Sequence, residues 1–311
     1  MLNFSLKWKS YFSGVVVYGL GVVLVQSLSY YQKALSPMTH PTLFWLFGAY
    51  LFLGPWYYLF LNKDEEESKP LLLLKGIQNL FLRGKIEPAE KIAVLFMAVK
   101  IFFLPTMISF LYNNMGSLWG LQFSQTYPWV ITSLFTVDTF IFTLGYLFEF
   151  PSWKNKVISV ESTLLGWAVA LISYPPFNSI VGSYVPWGAD DYVFFWNSAL
   201  TALFRTMIIL LLAIYVWASV ALGTKASNLT NRGIVTKFPY SIVRHPAYIS
   251  KNLLWWITLL PVMNWKFAVG MSFWTAIYYL RAYTEERHLS HDSEYKEYCQ
   301  KVTWRFIPWV L

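Results

Sequence analysis

The chain has 311 residues, of which 56% are hydrophobic, 20% aromatic and only 13% charged, and its formal net charge is +8. This composition is too apolar for a soluble globular domain and indicates a protein of the lipid bilayer. The basic residues form no clustered stripe that would favour nucleic acid, and a single cysteine, Cys299, excludes an internal disulfide and a metal site built from cysteines. We therefore expect no nucleic-acid partner and no bound metal.

Apolar stretches of about 20 residues, the length needed to cross a hydrocarbon core of roughly 30 Å, recur along the chain. The last two are separated only by Met263-Asn264-Trp265, which is too short for a soluble loop, so they are predicted to form a helical hairpin. The predicted fold is all-α and polytopic. Its eight spans lie at about residues 11–31, 42–61, 92–112, 129–150, 160–181, 194–221, 246–262 and 265–281.

Lysine and arginine are distributed unequally between the two sides of this arrangement. With a cytoplasmic N-terminus, the cytoplasmic segments hold nineteen of these residues, whereas the outer loops hold only Lys33 and Lys266. Cytoplasmic loops of membrane proteins carry such an excess. Both termini are therefore predicted to be cytoplasmic, and cationic loops facing anionic headgroups account for the net charge.

The loop 62–91 is the long hydrophilic connection of the N-terminal half. It contains an acidic run from Asp64 to Glu67, then four leucines from Leu71 to Leu74, then basic residues. An apolar block between charged flanks is compatible with a short helix lying on the cytoplasmic face and, equally, with a plain loop.

The fifth span and the loop after it contain two unusual features. Tyr174-Pro175-Pro176 removes backbone donors and should break or kink the helix near the outer surface. Asp190 and Asp191 follow in a turn-rich outer loop. They could bind a divalent cation, but adjacent side chains point apart and no further ligands accompany them, so solvated acids are favoured.

Six ionisable residues fall within the spans or near their ends. A charge inside a span costs on the order of 3 kcal/mol, so each should face the protein interior or a cavity. Interhelical pairing, for instance of Asp138 with Lys100 or Arg205, is the favoured reading for Lys100 and Asp138, whereas a polar pocket is favoured for Lys251. The six are Lys100, Asp138, Glu149, Glu161, Arg205 and Lys251.

A shaped loop leads into the seventh span. Pro239 and Pro246 bracket it, and residues before proline avoid the helical conformation, so the segment should be extended. It presents Arg244, His245 and Tyr248 together at the predicted cytoplasmic edge.

The other end of the hairpin carries a second group of polar residues. Arg281, Glu285 and His288 share one helical face, with Glu286 turned about 100° away. Because the two spans are antiparallel, both groups should meet in one pocket of Arg, His, Tyr and two carboxylates. Each motif alone is more often a structural helix end, but their combination favours a polar ligand with hydroxyls and a positive charge for the carboxylates and a negative group for the arginines.

A short helix should follow the hairpin. Asp292 or Ser293 can cap it, and Tyr295, Tyr298 and Val302 would then lie on one face.

These segments resemble a known family. Phe238 to Tyr248 is similar to the Arg-His-Pro-x-Tyr motif, and Glu285-Glu286-x-x-Leu289 to the Glu-Glu motif, of the isoprenylcysteine carboxyl methyltransferases and related phospholipid methyltransferases. The resemblance covers roughly residues 205–311. Three further elements fit it, namely Leu222-Gly223, Gly233-Ile234-Val235 and Arg305-x-x-Pro308.

The resemblance implies an integral membrane enzyme that uses S-adenosylmethionine, bound between the last hairpin and the C-terminal segment. It implies that Arg281, Glu285 and Arg305 shape the reaction centre. The residues that would bind the cofactor are Tyr240, Arg244, His245, Pro246, Tyr248, Glu285, Glu286 and His288. On this basis residues 194–311 form the methyltransferase-like core with its cofactor pocket, and residues 1–193 hold five spans that shape a cavity for the lipid substrate.

Two positions depart from the family pattern, because Ser250 and Phe238 stand where the family often has glycine. Each adds bulk where a cofactor would approach closely. The acceptor is expected to be a lipid-linked or amphiphilic molecule that enters from the bilayer while the cofactor enters from the cytoplasm. A carboxylate acceptor needs no base, whereas a thiol or an ammonium must lose a proton, for which His245, His288 or a glutamate is the candidate.

Two other functions stay open. Sterol reductases that use NADPH resemble the tail too, through an Arg-His motif, Tyr298-Cys299 and Arg305 to Pro308. They usually have asparagine before the motif tyrosine and Arg-Asp-Glu later, where this chain has Ala247 and Thr284-Glu285-Glu286, which favours the methyltransferase. A non-enzymatic scaffold or transporter is the other possibility, although no two-fold repeat or paired broken helices support transport.

Overall fold

The structure is a computed structural model that describes residues 4–61 and 67–310. The acidic residues 64–66 lie outside this part of the chain. The described chain is mostly helical, with almost no strand. Its α-helices are α1 (Phe4–Ser27), α2 (Ser29–Ala34), α3 (Thr39–Trp56), α4 (Lys69–Arg83), α5 (Pro88–Gly120), α6 (Thr126–Leu147), α7 (Leu164–Leu171), α8 (Phe177–Tyr184), α9 (Ser198–Leu222), α10 (Pro246–Leu259), α11 (Trp265–Leu289) and α12 (Ser293–Lys301).

Short irregular elements extend some of these helices. A π-helical stretch, Tyr57–Leu61, continues α3, and 3-10 turns lie at Pro151–Trp153, Gly223–Lys225 and Leu260–Val262. Two strands of two residues each, β1 (Ser159–Val160) and β2 (Thr230–Asn231), pair antiparallel, with Ser159 opposite Asn231 and Val160 opposite Thr230. The all-α fold class is therefore confirmed.

Five helices of the described chain are long and apolar enough to cross a membrane, and they coincide with predicted spans one to four and six. They are Phe4–Ser27, Thr39–Phe60, Pro88–Gly120, Thr126–Leu147 and Ser198–Lys225. The protein is thus an integral membrane protein by the length and composition of its helices. The total of eight spans and the cytoplasmic position of both termini stay predictions.

The other three predicted spans have distinct forms. Region 160–181 is not one helix, because α7 ends at Leu171 and α8 begins only at Phe177, on either side of the two prolines. The break predicted at Tyr174-Pro175-Pro176 is confirmed. The predicted hairpin is confirmed as α10 packed against α11, although α10 has only 14 residues and α11 continues well past the predicted end of the span.

The chain divides into two compact units. The first comprises Met1–Asn113, Thr143–Val160 and Thr230–Gly233, and the second comprises Asn114–Phe142, Glu161–Leu229 and Ile234–Leu311. A functional boundary between residues 193 and 194 is a different division and stays a prediction.

In the first unit, α1 packs against α3 and α4. One buried apolar cluster joins the end of α1 to the beginning of α3 and the middle of α5, and its members are Val25, Tyr31, Leu35, Leu43 and Ile108. In the second unit, α10 lies between α9 and α11, and α11 also packs against α7. The main core of this unit includes Ile131, Ile208, Leu212, Leu254, Leu259 and Met271.

The apolar block of the 62–91 loop is helical. Ser68 Oγ accepts a hydrogen bond from the Leu71 amide at the start of α4, and Gly84, with φ of 64°, ends the helix. Phe81 and Leu82 are strongly exposed. The helix alternative for this segment is therefore confirmed, and its exposed apolar residues agree with a helix on a membrane surface.

Asp138 has partners other than those expected from pairing. The carboxylate accepts hydrogen bonds from the hydroxyls of Tyr215 and Ser219, both on α9. The expected ion pair of Asp138 with Lys100 or Arg205 is therefore wrong. Two hydroxyl donors satisfy a buried carboxylate without a cation at bonding distance.

The acidic pair, Asp190 and Asp191, takes part in local hydrogen bonds. Asp190 Oδ1 accepts from the Tyr192 amide at 2.9 Å, and the Asp191 carbonyl accepts from Tyr127 Oη at 2.6 Å. Arg205 donates to the Tyr192 carbonyl at 3.2 Å. Among the residues that the structure describes, no three His, Cys, Asp or Glu side chains gather as a metal site would require.

Candidate functional site

The loop before α10 and the last turns of α11 meet at the open end of the hairpin. His245 precedes α10 in a non-helical conformation, and Pro246 occupies the first helical position, where its missing N–H breaks no intrahelical bond. Because α10 and α11 are antiparallel neighbours, Arg244 and His245 reach Glu286 across about 40 residues of sequence. The predicted convergence of the two segments is confirmed.

The Glu286 carboxylate binds three cationic or ionisable side chains. Its Oε1 accepts from Arg244 Nε at 2.8 Å and lies 3.1 Å from His245 Nε2. Its Oε2 lies 2.9 Å from Arg305 Nε. Only 11% of the Glu286 side chain is exposed. The carboxylate therefore joins the loop, α11 and the C-terminal tail in one charge-assisted cluster.

Main-chain hydrogen bonds reinforce this cluster. The Arg244 amide donates to the Trp304 carbonyl and the His245 amide to the Arg305 carbonyl, both at 2.9 Å. Arg244 Nη1 also donates to the Thr303 carbonyl at 3.2 Å. The tail thus runs along the loop and fixes the backbone of its two ionisable residues.

The electrostatics of Glu286 follow from these contacts. Burial alone would raise the pKa of its carboxyl, but the hydrogen bond and charge of His245, followed by the charges of Arg244 and Arg305, hold that pKa below its usual range. Glu286 is therefore an anion at neutral pH with its lone pairs engaged by protein donors. Helix geometry turns Glu286 about 100° away from the face of Arg281 and Glu285, yet Glu286 is the carboxylate at the centre of the cluster.

Glu285 has a different environment. It is exposed, and its Oε2 accepts from Tyr248 Oη at 2.8 Å. The Tyr248 ring stacks on the His245 ring at 5.3 Å, nearly parallel at 7°, and meets the Tyr278 ring edge-on. Tyr248 is therefore held on both faces, and Glu285 offers an oriented carboxylate with capacity for further donors.

Arg281 lies buried among aromatic rings. Its guanidinium carbon is 5.1 Å from the Tyr278 ring, 5.3 Å from that of Tyr248 and 5.9 Å from that of Tyr174. Its Nη2 donates to Asn228 Oδ1 at 2.9 Å. Within the described residues Arg281 has no carboxylate partner, so it is a charged donor able to receive an anionic group.

Tyr240 joins the loop to α12. Asp292 caps α12, as predicted, and Tyr295, Tyr298 and Val302 form one buried cluster, also as predicted. Tyr240 packs against this cluster, and its carbonyl accepts from Tyr298 Oη at 2.7 Å. Burial, followed by the charge of Glu285, raises the pKa of the Tyr240 hydroxyl, so it is a neutral donor.

His288 lies on the same helix end. Burial lowers the pKa of its imidazole, although the charges of Glu161 and Glu285 oppose this effect. The ring is therefore neutral at pH 7 and can accept a proton. The neighbouring Arg287 donates to Glu161 and Thr163, which ties this helix end to the start of α7.

Two buried polar atoms near these residues have no hydrogen-bond partner in the described chain. They are Tyr295 Oη and Asn252 Oδ1. Asn252 Nδ2 donates to the Tyr248 carbonyl at 2.9 Å. Tyr295 is close enough to Glu286 and Glu285 to interact with their charges. Unsatisfied buried polar atoms beside an exposed carboxylate are a feature of sites that bind a polar ligand.

The two departures from the family glycines have small local consequences. Ser250 is buried, and its hydroxyl donates back to the Pro246 carbonyl at 2.7 Å within α10. Phe238 is half exposed and meets the Trp217 ring edge-on. Neither side chain has a described contact with the Glu286 cluster, so the expected obstruction of the cofactor site is not seen in these contacts.

Asn228, Tyr174 and Tyr278 are not among the site residues predicted from the sequence. Asn228 lies in an irregular segment after α9, and Tyr174 adjoins the proline break, yet they bond each other, with Asn228 Nδ2 3.1 Å from Tyr174 Oη. Tyr278, on the apolar part of α11, completes the aromatic surround of Arg281. The proline break was the available signal for Tyr174, because breaks in spans mark positions where backbone and side chains line a cavity.

Comparison with known families gives one match. Residues 198–291 match the model of the isoprenylcysteine carboxyl methyltransferase (ICMT) family. This range contains α9, α10 and α11, with Arg244, His245, Tyr248, Arg281 and both glutamates, and it ends before α12 and Arg305. The family resemblance predicted for the C-terminal part is confirmed. Neither the curated proteins nor the solved structures gave a significant match.

The match and the apolar helices together support an integral membrane protein with a methyltransferase-type C-terminal region. The matched range covers under a third of the chain. Nearly all of the first unit lies outside it, so the family match gives no information on that unit.

Proposed function

We propose that the protein is an integral membrane methyltransferase that takes its methyl group from S-adenosylmethionine and transfers it to a lipid-linked or amphiphilic acceptor. The observation that carries the proposal is the paired arrangement at the end of the hairpin. Glu286 holds the Arg244-His245 loop in place, while Tyr248 orients the exposed carboxylate of Glu285 beside it.

The donor set fits this cofactor. S-adenosylmethionine presents a carboxylate, an ammonium and ribose hydroxyls, and it supplies a methyl group activated on a sulfonium sulfur. Glu285 suits the ammonium or the hydroxyls, and Arg281 suits a carboxylate because it lacks one within the described chain. Tyr295 Oη and Asn252 Oδ1 provide an unused donor and an unused acceptor.

Glu286 has another role in this proposal. Both of its oxygens already face protein partners, so it positions Arg244, His245 and Arg305 instead of contacting the ligand. Arg305 extends the reaction centre from the tail. The remaining predicted cofactor residues, Tyr240 and Pro246, shape the loop.

The protein contributes mainly alignment and exclusion of water, because methyl transfer from a sulfonium is an in-line displacement. A carboxylate acceptor reacts as the anion and requires no base. For a thiol or ammonium acceptor, His288 is the base that we favour, since its imidazole is neutral at pH 7, whereas His245 is engaged with Glu286. The charge bias of the loops supports a site that opens to the cytoplasm.

Isothermal titration of the purified full-length protein with S-adenosylmethionine tests the proposal. We expect saturable binding that Glu285→Ala abolishes and that Glu297→Ala, at an exposed position on α12, leaves unchanged. NADPH is titrated in parallel. Binding of NADPH without S-adenosylmethionine would replace the proposal with a membrane reductase, and binding of neither would leave a scaffold or transporter.

A further inference from the structure

The first unit contains a large cavity that is separate in sequence from the matched region. It has a volume of about 470 Å³ and is lined by residues of α1, α3, α5, the start of α4 and the segment after α6. Pockets that bind small molecules have volumes of roughly 300–1,000 Å³. The cavity is therefore large enough for a ligand.

One end of the cavity is apolar. Val25 at the end of α1, Leu43 and Leu46 at the start of α3, and Leu104 and Pro105 in the middle of α5 line it. Val25 and Leu43 also belong to the buried core of this unit. α1 packs against α3, and the residues that end α1 lie in one cluster with the residues that begin α3. This end is suited to a hydrocarbon chain.

The opposite end is polar among the residues that the structure describes. Lys69, Lys100 and Lys156 line it, together with Glu67 and Glu149. Both glutamates already face protein donors. Glu149 Oε1 accepts from the Val157 amide at 2.8 Å and lies 3.9 Å from Lys69 Nζ, while Glu67 binds Lys75. Both carboxylates and Lys69 thus have protein partners, so the capacity for an anion depends on Lys100.

Lys100 is the central residue of this end. It lies within the span formed by α5, where a charge costs on the order of 3 kcal/mol unless it has a partner. Its Nζ donates to the Leu147 carbonyl at 3.3 Å and lies 5.1 Å from the Tyr18 ring and 5.9 Å from the Phe96 ring. No carboxylate lies within ion-pair distance of Lys100 in the described part of the chain. An ammonium has three donors, so capacity for an anionic ligand remains.

We propose that this cavity binds a long-chain amphiphile with an anionic head, a carboxylate or a phosphate, placed at Lys100, with its chain along the apolar end. The inference goes beyond methyl transfer and does not depend on it, because every lining residue lies before residue 198, where the family match begins. A cationic or neutral head would add no negative charge to the carbonyl and the two rings that Lys100 already contacts, which is the reason for the choice of an anion.

Photo-crosslinking of the purified full-length protein tests this site. The probes are palmitate and phosphatidic acid, each with a diazirine in the acyl chain, and a diazirine analogue of hexadecanol as the neutral probe. We expect an anionic probe to label peptides of α1, α3 or α5, and unlabelled anionic amphiphile to compete. Labelling by palmitate alone assigns a single-chain acid, and labelling by phosphatidic acid assigns a phospholipid head.

Three variants, one of them a control, make the test specific. Lys100→Met keeps most of the side-chain volume. We expect it to reduce labelling by the anionic probe roughly tenfold or more and to leave labelling by the hexadecanol probe unchanged. Lys33→Met, at an exposed position of α2, is the matched control. Leu104→Trp fills the apolar end and should reduce labelling by every probe. Gel filtration verifies that each variant is folded.

Three results would overturn the proposal. They are equal labelling by the anionic and neutral probes, labelling of Lys100→Met at the level of wild type, and labelling confined to peptides outside α1, α3 and α5.

Discussion

Arg244 Nε donates to Glu286 Oε1 over 2.8 Å, although 42 residues separate them in sequence. This contact joins the loop before α10 to the last turns of α11. The two adjacent glutamates therefore differ in their environment. Glu286 pairs with protein cations, whereas Glu285 is exposed and accepts a hydrogen bond from Tyr248.

The two glutamates should respond differently to removal. Glu286→Ala leaves Arg244 and Arg305 without their shared anion, so we expect a loss of about 2 kcal/mol in the free energy of unfolding, a moderate value because Arg305 is partly exposed. Glu285→Ala should leave stability nearly unchanged while it abolishes S-adenosylmethionine binding. Thermal unfolding in detergent, followed by circular dichroism, measures the first effect and titration calorimetry the second. Equal destabilisation by both variants would contradict this difference.

The Glu286 cluster should make the stability of the protein depend on pH in the acidic range. The pKa of Glu286 in the folded protein is below its ordinary value of 4.5. A carboxyl whose pKa falls on folding stabilises the protein fully above the pKa of the unfolded state, and this stabilisation is lost as the pH falls through the folded-state pKa. The melting temperature should therefore fall below about pH 4.5, and it should fall less steeply in Glu286→Gln. Parallel curves for wild type and variant would show that another group dominates.

Tyr248 should act through its hydroxyl as well as its ring. Tyr248→Phe removes the hydrogen bond to Glu285 but keeps the stacking on His245. A hydrogen bond of this kind contributes about 1 kcal/mol, so we expect roughly fivefold weaker S-adenosylmethionine binding with an unchanged melting temperature. Tyr283→Phe, on an exposed part of α11, serves as the control. Unchanged affinity in Tyr248→Phe would remove this contact from the site.

Gly270 should be intolerant of a side chain. A Cβ at this position of α11 would lie 1.8 Å from the Pro186 carbonyl oxygen, and the backbone atoms of that loop cannot yield as a flexible side chain can. We expect Gly270→Ala to destabilise the protein by about 1–3 kcal/mol. Gly116→Ala in α5 has no atom within 4 Å of the new methyl group and should be neutral or slightly stabilising. The difference between the two melting temperatures is the readout, and equal values would contradict the close approach.

Local chemistry in the sequence was sufficient for several elements of the fold and site. The apolar runs located five helices suited to a membrane, the Met263-Asn264-Trp265 break located the hairpin, and Asp292 located the start of α12. These features depend on residues close together in sequence, for which helix geometry and capping give direct rules.

Features that depend on distant residues could not be obtained in this way. Helix periodicity gives the direction in which the Glu286 side chain leaves α11. It does not predict that Arg305, from the C-terminal tail, pairs with Glu286. It also could not foresee that Asp138 would be satisfied by the hydroxyls of Tyr215 and Ser219 instead of by a cation. In both cases the partner is set by tertiary packing, to which a single sequence gives no periodic signal.

The backbone bonds from Arg244 and His245 to Trp304 and Arg305 set an order of events during synthesis. The loop enters the nascent chain about sixty residues before the carbonyls that fix it. At about 5–20 residues per second, several seconds pass in which the hairpin exists while the loop lacks its final anchor. The proposed ligand site is therefore completed late, because a chain that ends before residue 304 lacks the backbone bonds that hold the loop.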